Sequence, residues 1–327
     1  MRIERLLLVL AMVASLAFAV AACGDDDDEG NGGGAASGEE SSSEELSGTI
    51  RIDGSSTVYP FAQAAAELFN EEQQGVQITV GQSGTGGGFE KFCAGETDIS
   101  DASRPIDEEE EVPLCEEAGV EPGEVQVAND GIAIATNKGL TIECMTTDQL
   151  KSLWEPKSKV KAFSDIDPSF PDTQVSLFGP GTDSGTFEFF TEEIVGEEGA
   201  QREDYEASED DNQLVTGVSG TDGGLGYFGL SYYEQNTDKL NAVQVDAGDG
   251  CVAPSSETVQ DGSYKPLSRP LFMYPSAAAL AKPHVKAFMD FVVAQQQTIA
   301  EAANIVPMTS EQASEAQSAL TTLEGGA

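Results

Sequence analysis

Four short turns, rich in glycine and hydroxyls, sit where runs of alternating apolar residues give way to helical patterns. They are Gly54-Ser55-Ser56-Thr57, Ser83-Gly84-Thr85-Gly86-Gly87-Gly88, Ser100-Asp101-Ala102-Ser103-Arg104 and Gly181-Thr182-Asp183-Ser184-Gly185-Thr186. Strands that alternate with helices indicate an α/β fold. Ligands in such folds sit beyond the carboxyl ends of the strands, which is where these turns fall. A helix start offers unpaired N–H groups and the positive end of the helix dipole. Glycine lets backbone approach a ligand closely, and Ser or Thr adds a hydroxyl. One such turn is a capped helix and nothing more. Several facing one cleft make a cage for a small oxyanion.

The apolar pattern supplies the elements between these turns. Ile50 and Ile52 alternate in a strand ending at Gly54. Pro60 then starts a helix carrying Phe61, Ala65, Leu68 and Phe69 at helical spacing. Val76, Ile78 and Val80 form a strand that runs into the glycine-rich turn, and Phe89 and Phe92 follow on a short helix. Ile99 marks a brief third strand. Val125 and Val127 lead through the polar Asn129-Asp130-Gly131 to Ile132 and Ile134, a suitable place for the chain to cross between two halves. Leu150, Leu153 and Trp154 predict a helix that Pro156 ends. Val175 and Leu177 predict a strand, and Phe187, Phe190 and Ile194 the helix after the fourth turn. Val243 and Val245 predict a later strand, Leu271 to Tyr274 a return crossing, and Val285, Phe288, Met289 and Val292 the last long helix.

The chain's start reads as an export signal. Arg2 and Arg5 precede an apolar run from Leu6 to Val20, closed by Val20-Ala21-Ala22-Cys23. That tetrapeptide resembles the bacterial lipobox, which implies cleavage after residue 22 and lipidation of Cys23. One lipid chain holds a protein only marginally, so the anchor is expected to carry more than one. Residues 23–46 are acidic and rich in Gly and Ser, with almost no apolar surface to offset ordering entropy, and read as a disordered tether.

The formal charge of −42 argues against nucleic acid and against adhesion to anionic lipid. It does not exclude an anionic ligand. Exposed charges fade over about 8–10 Å in physiological salt, whereas donors touching a desolvated anion act at contact distance. Beyond Cys23 there are four cysteines, Cys93, Cys115, Cys144 and Cys251. None is spaced as CxxC and the only histidine is His284, which argues against a zinc site and for disulfides. Of three pairings, Cys93–Cys115 with Cys144–Cys251 is preferred, because the first is local and the second then joins parts of one half.

In order and spacing, several segments resemble the substrate-binding proteins of phosphate ABC transporters, the PstS family. They are Gly95-Glu96-Thr97-Asp98-Ile99-Ser100, Ser103-Arg104-Pro105, Gly179-Pro180-Gly181-Thr182-Asp183-Ser184-Gly185-Thr186, Gly224-Leu225-Gly226-Tyr227-Phe228-Gly229 and Tyr264-Lys265-Pro266-Leu267-Ser268-Arg269-Pro270-Leu271. The resemblance runs from about Gly48 to Ala300. It implies a two-lobed periplasmic-binding-protein-like fold (type II), with hinge-connected lobes closing on one dehydrated phosphate. Residues 47–129 plus 268–320 would form lobe 1 and residues 130–267 lobe 2. It also implies a monomer, without cofactor or metal, that delivers phosphate to permease subunits in the membrane.

The same resemblance assigns phosphate contacts to Ser56 and Thr57 in the first turn, as a hydroxyl and a backbone N–H, and to Thr85 in the second. In the fourth it assigns Ser184, Gly185 and Thr186. Two departures matter. Where many members carry an arginine four residues before the Ser-Gly-Thr serine, this chain has Pro180, so Arg104 is the substitute guanidinium. Where many carry an aspartate that accepts the proton of hydrogen phosphate, this chain has Ser103. Asp183, or failing that Asp101, takes over the carboxylate's task. Sulfate at neutral pH has no proton to offer such a group, which is how it would be refused.

These residues also have purely structural uses. Ser55 to Thr57 is also an ordinary N-cap, Arg104 an ion-pair partner, and Asp183 a cap. An exported phosphatase or serine hydrolase using Ser184 is the alternative from another class. Against it, no GxSxG elbow surrounds Ser184 and no second histidine exists for a triad. Ser158-Lys159-Val160-Lys161 fits SxxK but lies in a polar connector. A receptor for sulfate or molybdate is the remaining alternative.

Overall fold

A computed structural model describes residues 46–182 and 184–325. Its first segment alternates β1 (Gly48–Gly54), α1 (Tyr59–Glu72), β2 (Val76–Val80), α2 (Thr85–Cys93), β3 (Ile99–Ala102), α3 (Glu111–Ala118) and the long β4 (Val125–Asn137). The middle of the chain forms β5 (Cys144–Thr146), α4 (Thr147–Trp154), β6 (Ser176–Gly179), α5 (Gly185–Phe190), β7 (Glu206–Ala207) and α6 (Asp211–Gly220). It continues through β8 (Gly224–Gly229), α7 (Leu230–Glu234), β9 (Leu240–Asp246), β10 (Cys251–Val252) and α8 (Ser256–Gln260). The last segment is β11 (Ser268–Pro275), α9 (Ala277–Leu280), α10 (Pro283–Ala294), α11 (Gln296–Ala302) and α12 (Ser310–Gly325).

The strands form one mixed sheet whose main path runs β2-β1-β3-β11-β4-β8-β6-β7. β1 lies parallel to both β2 and β3, so their carboxyl ends share one side. β6 is parallel to β8 in the other half. β4 joins the halves. Its residues up to Gly131 pair with β11, and from Ile132 onward they pair with β8 and β9. The polar Asn129-Asp130-Gly131 therefore does not interrupt the strand but marks where it changes partners. The return strand starts at Ser268, a few residues before the apolar run that announces it in the sequence.

Each half has its own core. In one, Ile50, Ile52, Phe61, Phe69, Val125 and Val127 pack with Phe288, Met289 and Val292. In the other, Ile132, Ile134, Leu150 and Leu153 gather around Trp154 and Phe190. There Trp154 meets Tyr227 edge-on at 4.9 Å between ring centroids, and Phe190 stacks on the same tyrosine at 3.8 Å. α10 buries the expected face, but it is not the last long helix: α12 follows, 16 residues long. Its mostly polar sequence buries only Ala316 and Leu320, too weak an apolar pattern to announce a helix.

Cys93 is bonded to Cys115 with 4.3 Å between Cα atoms, tying α2 to α3. Cys144 is bonded to Cys251 with 6.0 Å between Cα atoms, tying β5 to β10. Among the described residues, no helix is long and apolar enough to cross a membrane. Cys23 and residues 1–45, with the signal and nearly all of the tether read from them, lie outside the described residues, as does Asp183.

Candidate functional site

The parallel register of β1, β2 and β3 delivers the first three turns to one edge, and the turn after β6 meets them there. Gly54 makes the first approach. Its φ is +147°, and a Cβ on it would lie 2.1 Å from the carbonyl oxygen of Asp101, so only glycine lets β1 end against β3. Gly185 makes the second. A Cβ there would lie 2.2 Å from Thr57 Oγ1 and 2.6 Å from Ser56 Oγ. Turns from the two halves are thus in contact.

Beside this seam is a cavity of about 760 Å³. Its wall includes Ser56, Thr85, Ser103 and Arg104 from the first three turns, Thr182 from the fourth, and Arg269 from the return strand. Thr57 and Gly185 sit at the seam, and Ser184 and Thr186 form the cap of α5. Ser184 Oγ accepts the Thr186 N–H at 3.2 Å. Ser55 Oγ likewise accepts the Thr57 N–H at 3.2 Å, so that amide already has a partner. Ser56 Oγ donates to Glu188 Oε2 at 3.0 Å. Thr85 Oγ1 accepts the Ser103 N–H at 3.2 Å and lies 3.1 Å from Ser103 Oγ, which joins the second and third turns.

Arg104 lines the cavity but is paired. Its Nη1 and Nη2 each donate to a Glu111 oxygen at 2.8 Å, and the bond to that carboxylate raises the guanidinium's pKa against burial. The paired fork keeps donors in a fixed plane at the cavity edge. Asp101, the reserve carboxylate, is fully buried behind the first turn rather than on the wall. Burial, then the neighbouring Asp53, pushes its carboxyl well above the usual range, and neither oxygen has a hydrogen-bond partner. The hydrolase constellation does not assemble. Ser158 Oγ donates to the carbonyl of Ser152, and the ring of His284 packs against Gly48.

Three residues at the seam and on the wall carry no site assignment from the sequence. Arg269 is nearly buried where the return strand begins. Its Nε donates to Asp130 Oδ2 at 3.3 Å and its Nη2 to Thr57 Oγ1 at 2.8 Å. Its guanidinium carbon stands 3.7 Å from the centroid of the Phe189 ring. Burial lowers its pKa, and Asp130 opposes that shift. Asp130 comes from the point where β4 changes partners, so both crossings and both halves meet at one cation. Glu188 is the third, with Glu192, Glu193 and Glu198 near it on the wall. Burial pushes the carboxyls of Glu188 and Glu193 up. One signal was available for Arg269: it is one of 16 cations among 58 acids, flanked by Ser268 and Pro270 at the head of an apolar strand. Glu188 carried none, being one acid among many.

Two α/β halves joined by crossing strands, with a polar cleft at their strand-end turns and a buried cation at the crossing, define a solute-binding protein. The chain belongs to the PBP superfamily, whose domain matches residues 39–296. It is 39% identical over 266 residues to the phosphate-binding protein PstS of Staphylococcus epidermidis, covering 80% of each chain. It is also similar to the crystal structure of a possible phosphate-binding protein from Planctomyces limnophilus. That likeness has a TM-score of 0.79 and 41% identity, over 85% of this chain and 99% of the other. A phosphate ABC transporter substrate-binding protein from Clostridium perfringens, solved with bound phosphate, matches with a TM-score of 0.57 and 28% identity. The match spans 80% of this chain and 100% of that one.

Proposed function

We propose that this protein captures inorganic phosphate outside the cytoplasm and delivers it to the permease of an ABC transporter, binding without turnover. The observation that carries this reading is the meeting of Ser56, Thr57 and Gly185 from opposite halves, with Arg269 donating into the same point. Closure of two lobes would bring both sets of donors onto one anion, a hinge transition. Residues 47–129 plus 268–320 form one lobe and 130–267 the other, hinged at β4 and β11. The partner change of β4 after Gly131 supports that division.

Phosphate contacts are assigned to Ser56, Thr57, Thr85, Ser103, Arg104, Asp183, Ser184, Gly185 and Thr186, with Arg269 added. The likeness of Val20 to Cys23 to the bacterial lipobox supports cleavage after residue 22 and lipidation of Cys23, which would hold the protein, a monomer on this reading, at the membrane on a flexible tether. Mass spectrometry of the protein extracted from membranes checks that part: the mature chain should begin at Cys23 and carry acyl chains.

The test of function is titration calorimetry with phosphate, arsenate and sulfate. Phosphate and arsenate should bind tightly. A protein that takes up no oxyanion sinks the reading, and one that prefers molybdate or sulfate changes the cargo.

A further inference from the structure

The hydroxyls of the cleft are not equivalent. Thr57 Oγ1 accepts from Arg269 Nη2; Thr85 Oγ1 accepts the Ser103 N–H and shares a hydrogen with Ser103 Oγ at 3.1 Å, where either hydroxyl can donate, so one hydrogen of that pair stays free. An oxygen whose lone pair is taken by an N–H still holds its own hydrogen for a ligand. Ser56 is loaded the other way. Its Oγ gives its one hydrogen to Glu188 Oε2 at 3.0 Å, and both side chains line the cavity. A hydroxyl has one hydrogen and two lone pairs, so what remains for a ligand at Ser56 is a lone pair.

We propose that Glu188 makes the Ser56 hydroxyl an acceptor, and that this pair admits an oxyanion only if the oxygen facing it carries a proton. The inference rests on the phosphate reading above and assigns its selectivity to a pair that spans the two halves. Hydrogen phosphate and hydrogen arsenate can donate to Ser56 Oγ, which passes its own hydrogen to Glu188. Sulfate brings only bare oxygens. One of them would face a lone pair, with a carboxylate directly behind it. A site built to receive a donor rejects an analogue that lacks one, because a buried polar group is then left unpaired. Ser103, where many relatives carry a carboxylate, is not needed for this task. The carboxylate arrives instead from α5.

Full-length protein is titrated with phosphate and with sulfate, as wild type, Glu188→Gln, Ser56→Ala and the double variant, each first shown to melt cooperatively. In wild type phosphate should win. In Glu188→Gln the carboxamide can donate to Ser56, freeing the serine hydrogen for the ligand. The phosphate-to-sulfate affinity ratio should then fall about tenfold or more, with sulfate binding gained as well as phosphate binding lost. Ser56→Ala, which removes the acceptor, should lower the same ratio, and the double variant should lower it no further than the larger single effect. A ratio unchanged in both single variants overturns the proposal, as do falls that simply add. Wild type that binds both ions equally overturns it while leaving an oxyanion receptor. Wild type that binds neither defeats the phosphate reading, and this proposal with it.

Discussion

On one side of the cleft the turns after β1, β2 and β3 present Ser56, Thr85, Ser103 and the backbone of Gly84 to Gly87. On the other, α5 and the stretch after it present Glu188, Glu192, Glu193 and Glu198, with Phe189 among them. The first wall is hydroxyls and amides on a parallel sheet, where Ser56 gives its hydrogen to Glu188 and the Arg104 guanidinium at the edge is held by Glu111. The second is acidic, and the cation that faces it, Arg269, comes from the crossing strand. Magnitudes show how an anion can still bind. One carboxylate about 4 Å from an anion costs on the order of 4 kcal/mol at the screening typical near a protein surface. A hydrogen bond to a charged group contributes about 1.5–3 kcal/mol. Two or three donors from the first wall therefore offset one acid on the second. On the proposed function, affinity belongs to the neutral wall, and the acidic wall decides which anions are refused.

The sharpest way to break that division is to remove the cation between the walls. Arg269→Met leaves Asp130 nearly buried and unpaired, and losing one partner of a buried pair costs about 3–5 kcal/mol. Urea unfolding should show that loss, and Asp130→Asn in the same chain should recover much of it. If the single variant is as stable as wild type, the crossing does not depend on this pair.

Next in size is Gly185→Ala. Its methyl would strike Thr57 Oγ1 and Ser56 Oγ, so the walls could not meet. Overpacking of this kind costs about 1–3 kcal/mol. If the halves part without ligand, phosphate affinity should fall by up to that amount, and the melting temperature should fall more with phosphate than without it. An unaltered titration would mean that the walls bind phosphate without touching. Arg104→Ala should weaken binding by about 1.5–3 kcal/mol if the guanidinium reaches the anion past Glu111, the range for a lost charge-assisted bond. Unchanged calorimetry would make the Arg104–Glu111 fork purely a brace between α3 and the third turn.

The neutral wall was legible in the sequence because its signals are local. Glycine at a strand end, a hydroxyl, then apolar residues at helical spacing specify a turn without knowledge of anything distant, and the strand and helix behind each turn follow from the same run. The acidic wall was not. Glu188 matters through a serine 132 residues away, and no local pattern distinguishes it from its neighbours Glu192 and Glu193. Arg269 acquires its role only when β11 lies beside β4 and brings Asp130 to it. The helix α12 was lost for a related reason: its stripe of Ala313, Ala316, Leu320 and Leu323 is half alanine, and it gains meaning only by packing on the first core.

The smallest expected effect uses protons to separate the walls. Burial holds the carboxyls of Glu188 and Glu193 above their ordinary range, so the folded protein keeps those protons to a higher pH than the unfolded chain does. In that window folding binds protons, and stability falls as pH rises through the carboxylate range, then levels once both states are ionised. Asp53, at the base of the neutral wall, has the opposite sign. Burial pushes it up, but the Lys91 ammonium and the Ser83 hydroxyl outweigh burial and hold it below its ordinary value. Its stabilisation is present above its unfolded pKa and is lost as pH falls through the folded one. Melting temperature against pH should therefore diverge between two variants. Glu188→Gln should gain on wild type at neutral pH, with the gain shrinking on acidification. Asp53→Asn should lose at neutral pH, with the loss shrinking on acidification. Two curves offset in the same direction would show that the walls do not differ in how they hold their carboxylates, and the division of labour between them would have to be drawn elsewhere.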